Sequence, residues 1–106
     1  MAEREASRWR VREIDPDVVR QFAVTIAPHA RAVEMGVDIV GDPHRLDDEG
    51  CNWTRLRHAR DVDNVTPGAV VVMGSRIGTY RARVVAWDFE VSDDDPIVTL
   101  ELLPEA

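Results

Sequence analysis

Residues 79–91 read TYRARVVAWDFEV, and the apolar side chains of this stretch change parity halfway along it. In the first half they fall at even positions, starting with Tyr80, and in the second half they fall at odd positions, ending with Val91. A regular strand cannot switch faces, because its side chains alternate with a period of two. We therefore predict a β-bulge or sharp bend near residues 84–86. Strands that serve two layers in this way occur in small barrels and orthogonal sheets.

Turn residues mark the neighbouring strands. Thr-Pro-Gly at residues 66–68 suits a type II turn, with proline and glycine at the two central positions. Residues 69–73, AVVVM, then predict a strand that is apolar on both sides and therefore buried on both sides. Residues 74–78 predict a hairpin loop. A turn at residues 92–96 leads to a last predicted strand at residues 97–103.

An amphipathic helix is predicted before these strands. Asp15 can cap its start, Pro16 fits the first helical position, and apolar residues recur every third or fourth position after it. Pro28 interrupts the pattern, so the helix must kink or divide there. Gly36 is a natural C-terminal cap. We expect helix from residue 16 to about residue 35, with a kink or break near Pro28.

The other segments carry weaker patterns. Apolar and charged side chains alternate over residues 7–14 and predict a strand with one solvent-exposed face. The alternative is that this end of the chain has no regular structure. Residues 37–40 predict a short strand, and residues 41–50 a polar loop. We predict a short helix over residues 52–60 in preference to a strand, because a strand would place Trp53 on one face with two arginines.

These elements predict one α+β domain over residues 1–106, with residues 1–5 flexible. Its amphipathic helix, kinked or split near Pro28, should pack on a small, strongly bent antiparallel sheet or a partly open SH3-like barrel. The likeness to SH3-like barrels covers about residues 65–103 and implies no function. Trp87 and Phe89 should lie in the core under the helix.

Composition restricts the setting of the protein. The chain has 106 residues, 44% of them hydrophobic, which is typical of a globular protein. Cys51 is the single cysteine, so no intrachain disulfide can form. The charged start lacks an apolar signal region, and no apolar run approaches the ~20 residues of a membrane helix. We expect a cytoplasmic protein with no membrane association.

Charge is distributed unevenly along the chain. All 13 cationic side chains are arginine, and the net charge is -7. Residues 84–106 carry seven carboxylates and no arginine, whereas residues 52–83 carry six arginines against Asp61 and Asp63. Such polarity favours contacts with a protein partner or with a second copy of the chain in a homodimer.

Arginines beside aromatic residues are the most suggestive feature for binding. The candidate binding residues are Trp53, Arg55, Arg57, Arg60, Tyr80, Arg81 and Arg83. A basic groove with stacking aromatics would suit single-stranded nucleic acid, but the acidic composition disfavours it. We therefore predict a non-enzymatic binding or accessory module that acts through protein–protein contacts, with a nucleic-acid-binding regulator as the alternative.

Catalytic and metal motifs are weak. His44, Asp47, Cys51 and His58 could supply zinc ligands, and Cys51 with a histidine could form a nucleophilic pair, but the spacing matches no known motif. We predict no catalytic residue, no metal site and no cofactor. A small enzyme or ligand binder, with its site between the helix and the sheet, is a third interpretation.

The acidic turn at residues 92–96 has no cation close in sequence. We expect its three consecutive aspartates to project freely into solvent. Alternatively, an arginine of residues 55–60 folds across to pair with them, which would make that arginine an intramolecular partner instead of a binding residue.

Overall fold

The structure, a computed structural model, describes residues 10–104. These residues form two α-helices, α1 (Pro16–Thr25) and α2 (Ala30–Met35), and two short 3₁₀ helices, Leu56–His58 and Val62–Asn64. They also form six strands: β1 (Arg10–Val11), β2 (Ile39–Val40), β3 (Asn52–Arg55), β4 (Val70–Ser75), β5 (Gly78–Asp88) and β6 (Ile97–Leu102).

The strands form one strongly curled sheet in the order β2-β4-β5-β6-β3, with β1 paired to β5. The pairs are antiparallel except β2 with β4, which is parallel. An isolated bridge between Ile39 and Ala59 brings the β2 edge to the segment after β3, so the sheet curls into a half-barrel. We call this junction the seam. The predicted α+β fold with a bent sheet is confirmed.

The predicted change of face in β5 is a β-bulge. The β5–β6 register shifts between Val84 and Ala86, so that Val84 faces Leu100 and Trp87 faces Val98. Two residues apart on β6, Leu100 and Val98 share a face, and Val84 and Trp87 therefore share it too. We call this core-lining side the inner face and the opposite side the outer face.

The amphipathic helix divides where Pro28 predicts. Asp15 accepts a hydrogen bond from the Asp17 backbone N–H, and α1 ends at Thr25. After the break, α2 ends at Gly36, whose φ of 70° is the left-handed conformation that glycine adopts readily. The Phe22 ring of α1 meets the Trp87 ring edge-on, with centroids 5.7 Å apart, so α1 covers the buried Trp87 as predicted, whereas Phe89 is only partly buried.

Residues 52–60 correct the prediction of a helix, because they form β3 and a 3₁₀ helix. The buried positions of β3 are the polar Asn52 and Thr54, which satisfy their side chains on backbone carbonyls: the Asn52 amide donates to Asp42 at 3.0 Å and the Thr54 hydroxyl to Val40 at 2.8 Å. Polar residues on the inner face and Trp53 on the outer face reverse the usual alternation, and this hid the strand.

Strand β4 corrects a second expectation, since its residues 70–73 are buried on one side only. Val71 and Met73 lie in the core, whereas Val70 is 51% exposed and Val72 36% exposed. Of the strand predicted at residues 7–14, only β1 is present among the described residues; residues 7–9 and the first five residues lie outside them. No helix in residues 10–104 is long and apolar enough to cross a membrane.

Candidate functional site

The structure divides the predicted binding residues between the two faces of the sheet. Arg81 and Arg83 face Val72 and Val70 across the β4–β5 ladder and lie on the outer face. Trp53 pairs with Thr99 and is also on the outer face. Tyr80 has the opposite parity and packs against the core, so it is half-buried and does not share the outer face with the arginines.

Arg55 and Arg57 are engaged with Asp95. One Asp95 carboxylate oxygen accepts from the Arg57 backbone N–H at 3.0 Å, and the other accepts from Arg57 Nε at 2.8 Å. Arg55 Nη1 lies 3.9 Å from the same carboxylate, which is only 8% exposed as a residue. The expectation of a wholly free acidic turn is therefore wrong for Asp95, although Asp93 and Asp94 remain exposed.

Backbone geometry explains this pairing. The Leu56 N–H donates to the Pro96 carbonyl at 3.0 Å, so the ladder between β3 and β6 continues into the turn and holds Asp95 beside Arg57. The two arginines thus fasten the turn to the start of the first 3₁₀ helix. This is the intramolecular alternative to a binding role.

Arg60 is similarly engaged at the seam. Its Nη2 lies 3.5 Å from Asp38 Oδ1, and its backbone N–H donates to the Asp38 carbonyl at 2.8 Å. The second Asp38 carboxylate oxygen accepts from the Val72 N–H at 2.8 Å. Asp38 therefore joins the edge of β4 to Arg60, and the Arg60 guanidinium has a structural partner.

Trp53 is half-buried and is covered by Arg45, whose guanidinium carbon lies 4.9 Å from the ring. Arg45 is held in place because its carbonyl accepts from the Trp53 N–H and from the Asn52 amide. Glu49 of the same loop forms an ion pair with Arg10 of β1. A cation–π contact within the chain thus occupies one face of the only predicted aromatic on the outer side.

What remains accessible is a patch that we call the valine–arginine face: Val70, Val72, Arg81 and Arg83. Arg83 lies 3.7 Å from Glu101, in a pair whose side chains are 51% and 57% exposed. Arg81 has no carboxylate within 4.0 Å among residues 10–104. The sequence predicted the arginines as binding residues but not the valines. An unbroken run of apolar residues does not indicate which face of the strand is exposed to solvent.

Cys51 is half-buried, and its pKa is raised above the usual value, first by burial and then by the charges of Asp47 and Glu49. A raised thiol pKa disfavours the nucleophilic thiolate. No group of three His, Cys, Asp or Glu side chains within residues 10–104 is arranged to hold a metal ion. Every buried side-chain nitrogen or oxygen in that part of the chain has a hydrogen-bond partner.

A surface groove of about 280 Å³ between residues 23–28 and residues 59–63 is lined by Arg60, and two more grooves lie elsewhere. One of about 330 Å³ lies between the end of β2 and the β4–β5 hairpin tip, and one of about 560 Å³ lies between the start of α1 and residues 66–67. Neither is lined by the predicted binding residues. No protein-family model, curated protein sequence or solved structure matches this chain.

Proposed function

We propose that the protein is a non-enzymatic binding module that contacts a protein partner through the valine–arginine face. The observation that carries the proposal is the register of β4 and β5, which sets Val70 opposite Arg83 and Val72 opposite Arg81 on the accessible side of the hairpin. Two exposed β-branched side chains beside two guanidinium groups make a surface that a partner can desolvate.

The charge of this face favours an acidic segment as the partner's contact. Arg76, Arg81 and Arg83 are exposed on the hairpin, and among the described residues Glu101 pairs with Arg83 alone. Guanidinium groups bind carboxylates in a planar, two-point geometry, and their stems can cover apolar neighbours. An extended acidic segment with apolar residues between its carboxylates would therefore match both components of the face.

A nucleic-acid-binding regulator is the second candidate. The exposed arginines of the hairpin favour it, because phosphates attract the same groups. The ion pairs of Arg55 and Arg57 with Asp95 weigh against it, as does the inward position of Tyr80. Within residues 10–104, few accessible aromatic faces are left for base stacking.

The test compares two anionic probes on one pair of charge-matched variants. The probes are a synthetic peptide of alternating Glu and Leu and an oligothymidylate of similar charge, titrated at about 50 mM salt, where phosphate contacts are strongest. The variants are Arg81→Glu/Arg83→Glu and, as a control on the helices, Arg20→Glu/Arg31→Glu. The peptide should bind the wild type and the control alike, and bind the face variant at least about tenfold more weakly, a loss of about 1.4 kcal/mol.

Equal peptide binding by both double variants would remove the proposal. Binding of the oligothymidylate alone would show that the valine–arginine face binds nucleic acid and not an acidic protein segment. Sedimentation of the wild type at several concentrations shows whether a second copy occupies the face, since Asp93 and Asp94 give that copy exposed carboxylates.

We extend the proposal to a cytoplasmic location, which the absence of any possible intrachain disulfide supports.

A further inference from the structure

Two histidines meet at the seam of the half-barrel. The His29 and His58 ring centroids are 5.1 Å apart, with the ring planes at 70°. His29 lies immediately before α2, and its backbone N–H donates to the Ala59 carbonyl at 2.9 Å. His58 belongs to the first 3₁₀ helix, directly before Ala59. The pair therefore joins α2 to the segment that bridges to β2.

His29 caps α2 with a lone pair. Its Nδ1 accepts from the Ala32 backbone N–H at 3.4 Å, and this contact requires Nδ1 to be unprotonated. The neutral ring then carries its proton on Nε2, and the proton added in acid must go to Nδ1. Protonation of His29 thus removes the acceptor at the first turn of α2 and places a positive charge at the end of the helix dipole that disfavours it.

The tautomer of His58 follows from the single proton of the Thr54 hydroxyl. That hydroxyl donates to the Val40 carbonyl at 2.8 Å, so it must accept from His58 Nδ1, which lies 2.8 Å away. Neutral His58 therefore carries its proton on Nδ1, and acid adds the second proton at Nε2. Thr54 thus fixes this ring beside β2 in both protonation states, and acid changes only the charge that His58 places next to His29.

The surroundings of His58 oppose its charged form. Burial lowers the pKa of His58 most, the neighbouring His29 lowers it further, and Arg57 and Arg55 act in the same direction. Asp95 acts in the opposite direction, but its carboxylate is already hydrogen-bonded to Arg57. Asp38 and Arg60, the other charged groups at the seam, are paired with each other.

We propose that His29 and His58 form a proton-sensitive latch, which holds α2 and the first 3₁₀ helix against the seam at neutral pH and releases them in mild acid. Neutral rings satisfy both the α2 cap and the Thr54 network. Two protonated rings would lose the cap and place two cations in contact. Ala32 is the one buried residue of α2, so little apolar burial resists its release.

The sign of the pH dependence follows from proton binding. The released or unfolded segment protonates its histidines near the ordinary value of ~6.5, whereas the closed state holds His58 neutral to lower pH. The open state therefore binds more protons, and closure is strongest above that pH and is lost as the pH falls below it. Carboxylates as a class titrate near ~3.9–4.3, so a change between about pH 5.5 and pH 7.5 reports histidine.

Amide hydrogen exchange of the full chain tests the latch. Protection factors, which remove the intrinsic effect of pH, are measured at about pH 7.5 and pH 5.5 for the Ala32 and His29 amides and for the Trp87 amide. In the wild type, the first two should lose protection in acid, because the closed state disfavours the charged form of His58, while Trp87 stays constant. His58→Gln should reduce that loss, and His44→Gln, in the exposed loop, should not.

Unchanged protection of Ala32 and His29 at the two pH values would overturn the latch, as would an equal acid loss in His58→Gln. If His58→Gln does not fold, the histidine titrations are followed by NMR in His29→Gln instead. Removing His29 should shift the titration of His58 to higher pH, because a neighbouring positive charge is lost. A titration that stays in place, or moves lower, would show that the rings are not coupled.

Discussion

The indole Nε1–H of Trp87 donates a hydrogen bond of 2.9 Å to the carbonyl oxygen of Val65. Both residues are fully buried, so this bond satisfies the one polar atom of the largest core side chain. It also ties the bulged half of β5 to the segment that follows the second 3₁₀ helix. The bulge is what turns Trp87 to the inner face, and the change of parity in the sequence therefore fixes the position of the core.

Replacing Trp87 with alanine should lower the free energy of unfolding by about 3–5 kcal/mol, because it leaves a large cavity beside Phe22 and an unpaired carbonyl at Val65. Trp87→Phe keeps most of the ring but removes the donor, so it should cost less. Urea denaturation followed by circular dichroism measures both. A loss below about 1 kcal/mol for Trp87→Ala would show that the residue is not a core element.

Asp95 should differ sharply from its two acidic neighbours. Asp95→Ala removes two hydrogen-bond acceptors from Arg57, one of them for a backbone N–H, and should destabilise the protein by about 1–3 kcal/mol. Asp95→Asn keeps an oxygen for that N–H and should cost less. Asp93→Asn and Asp94→Asn, at exposed positions, should stay within about 0.5 kcal/mol. Equal effects of all three Asn variants in thermal denaturation would contradict the pairing.

Much of this fold follows from local rules. The bulge in β5, the break near Pro28 and the cap at Gly36 were predicted because each depends on residues within one element. A parity change, a proline ring and a left-handed glycine act on the backbone whatever lies around them. The helix over the inner face followed as well, since the amphipathic stripe of α1 and the aromatic side chain of Trp87 have to cover each other.

The errors at residues 52–60 and at Asp95 share a cause, which is that polar residues were assigned to solvent, whereas in β4 two exposed valines were assigned to the core. Thr54 lies inside because its hydroxyl donates to the Val40 carbonyl of β2, and Asp95 lies inside because its carboxylate accepts from the Arg57 N–H of the first 3₁₀ helix. Such hydrogen-bond partners are distant in sequence, so the local pattern of polar and apolar residues does not predict them. The candidate site is smaller than predicted for the same reason. Arg57 is paired with Asp95, which is 38 residues away in sequence, whereas Arg81 and Arg83 are exposed.

Gly74 should not tolerate a side chain. A Cβ at this position would lie 2.8 and 2.9 Å from the two methyl groups of Val37, which is buried and β-branched and cannot turn aside. Gly74→Ala should therefore destabilise the protein by about 1–3 kcal/mol, the usual cost of overpacking. In a strand with open space the same change would stabilise, because alanine lowers the entropy of the unfolded chain.

Gly41→Ala is the comparison for Gly74→Ala. Its Cβ would meet the Met73 side chain at Sδ, 2.6 Å away, and an unbranched thioether can repack. We expect a smaller loss than for Gly74→Ala in the same urea experiment. A larger loss at Gly41 would mean that Met73, not Val37, sets the distance between β2 and β4.

The exposed valines of β4 should be dispensable for folding. Val70→Thr and Val72→Thr keep a β-branched shape and turn a hydroxyl towards water, so the free energy of unfolding should change by less than about 0.5 kcal/mol. Val71→Thr is the matched control: Val71 is 3% exposed, and its new hydroxyl would be buried, at a cost of about 1–3 kcal/mol.

The Val70→Thr/Val72→Thr variant should nevertheless bind the Glu-Leu peptide more weakly than the wild type, because the apolar part of the valine–arginine face is gone. A cost above about 1 kcal/mol at Val70 or Val72 would mean that these side chains serve the fold, and unchanged peptide binding would leave the arginines as the only contact.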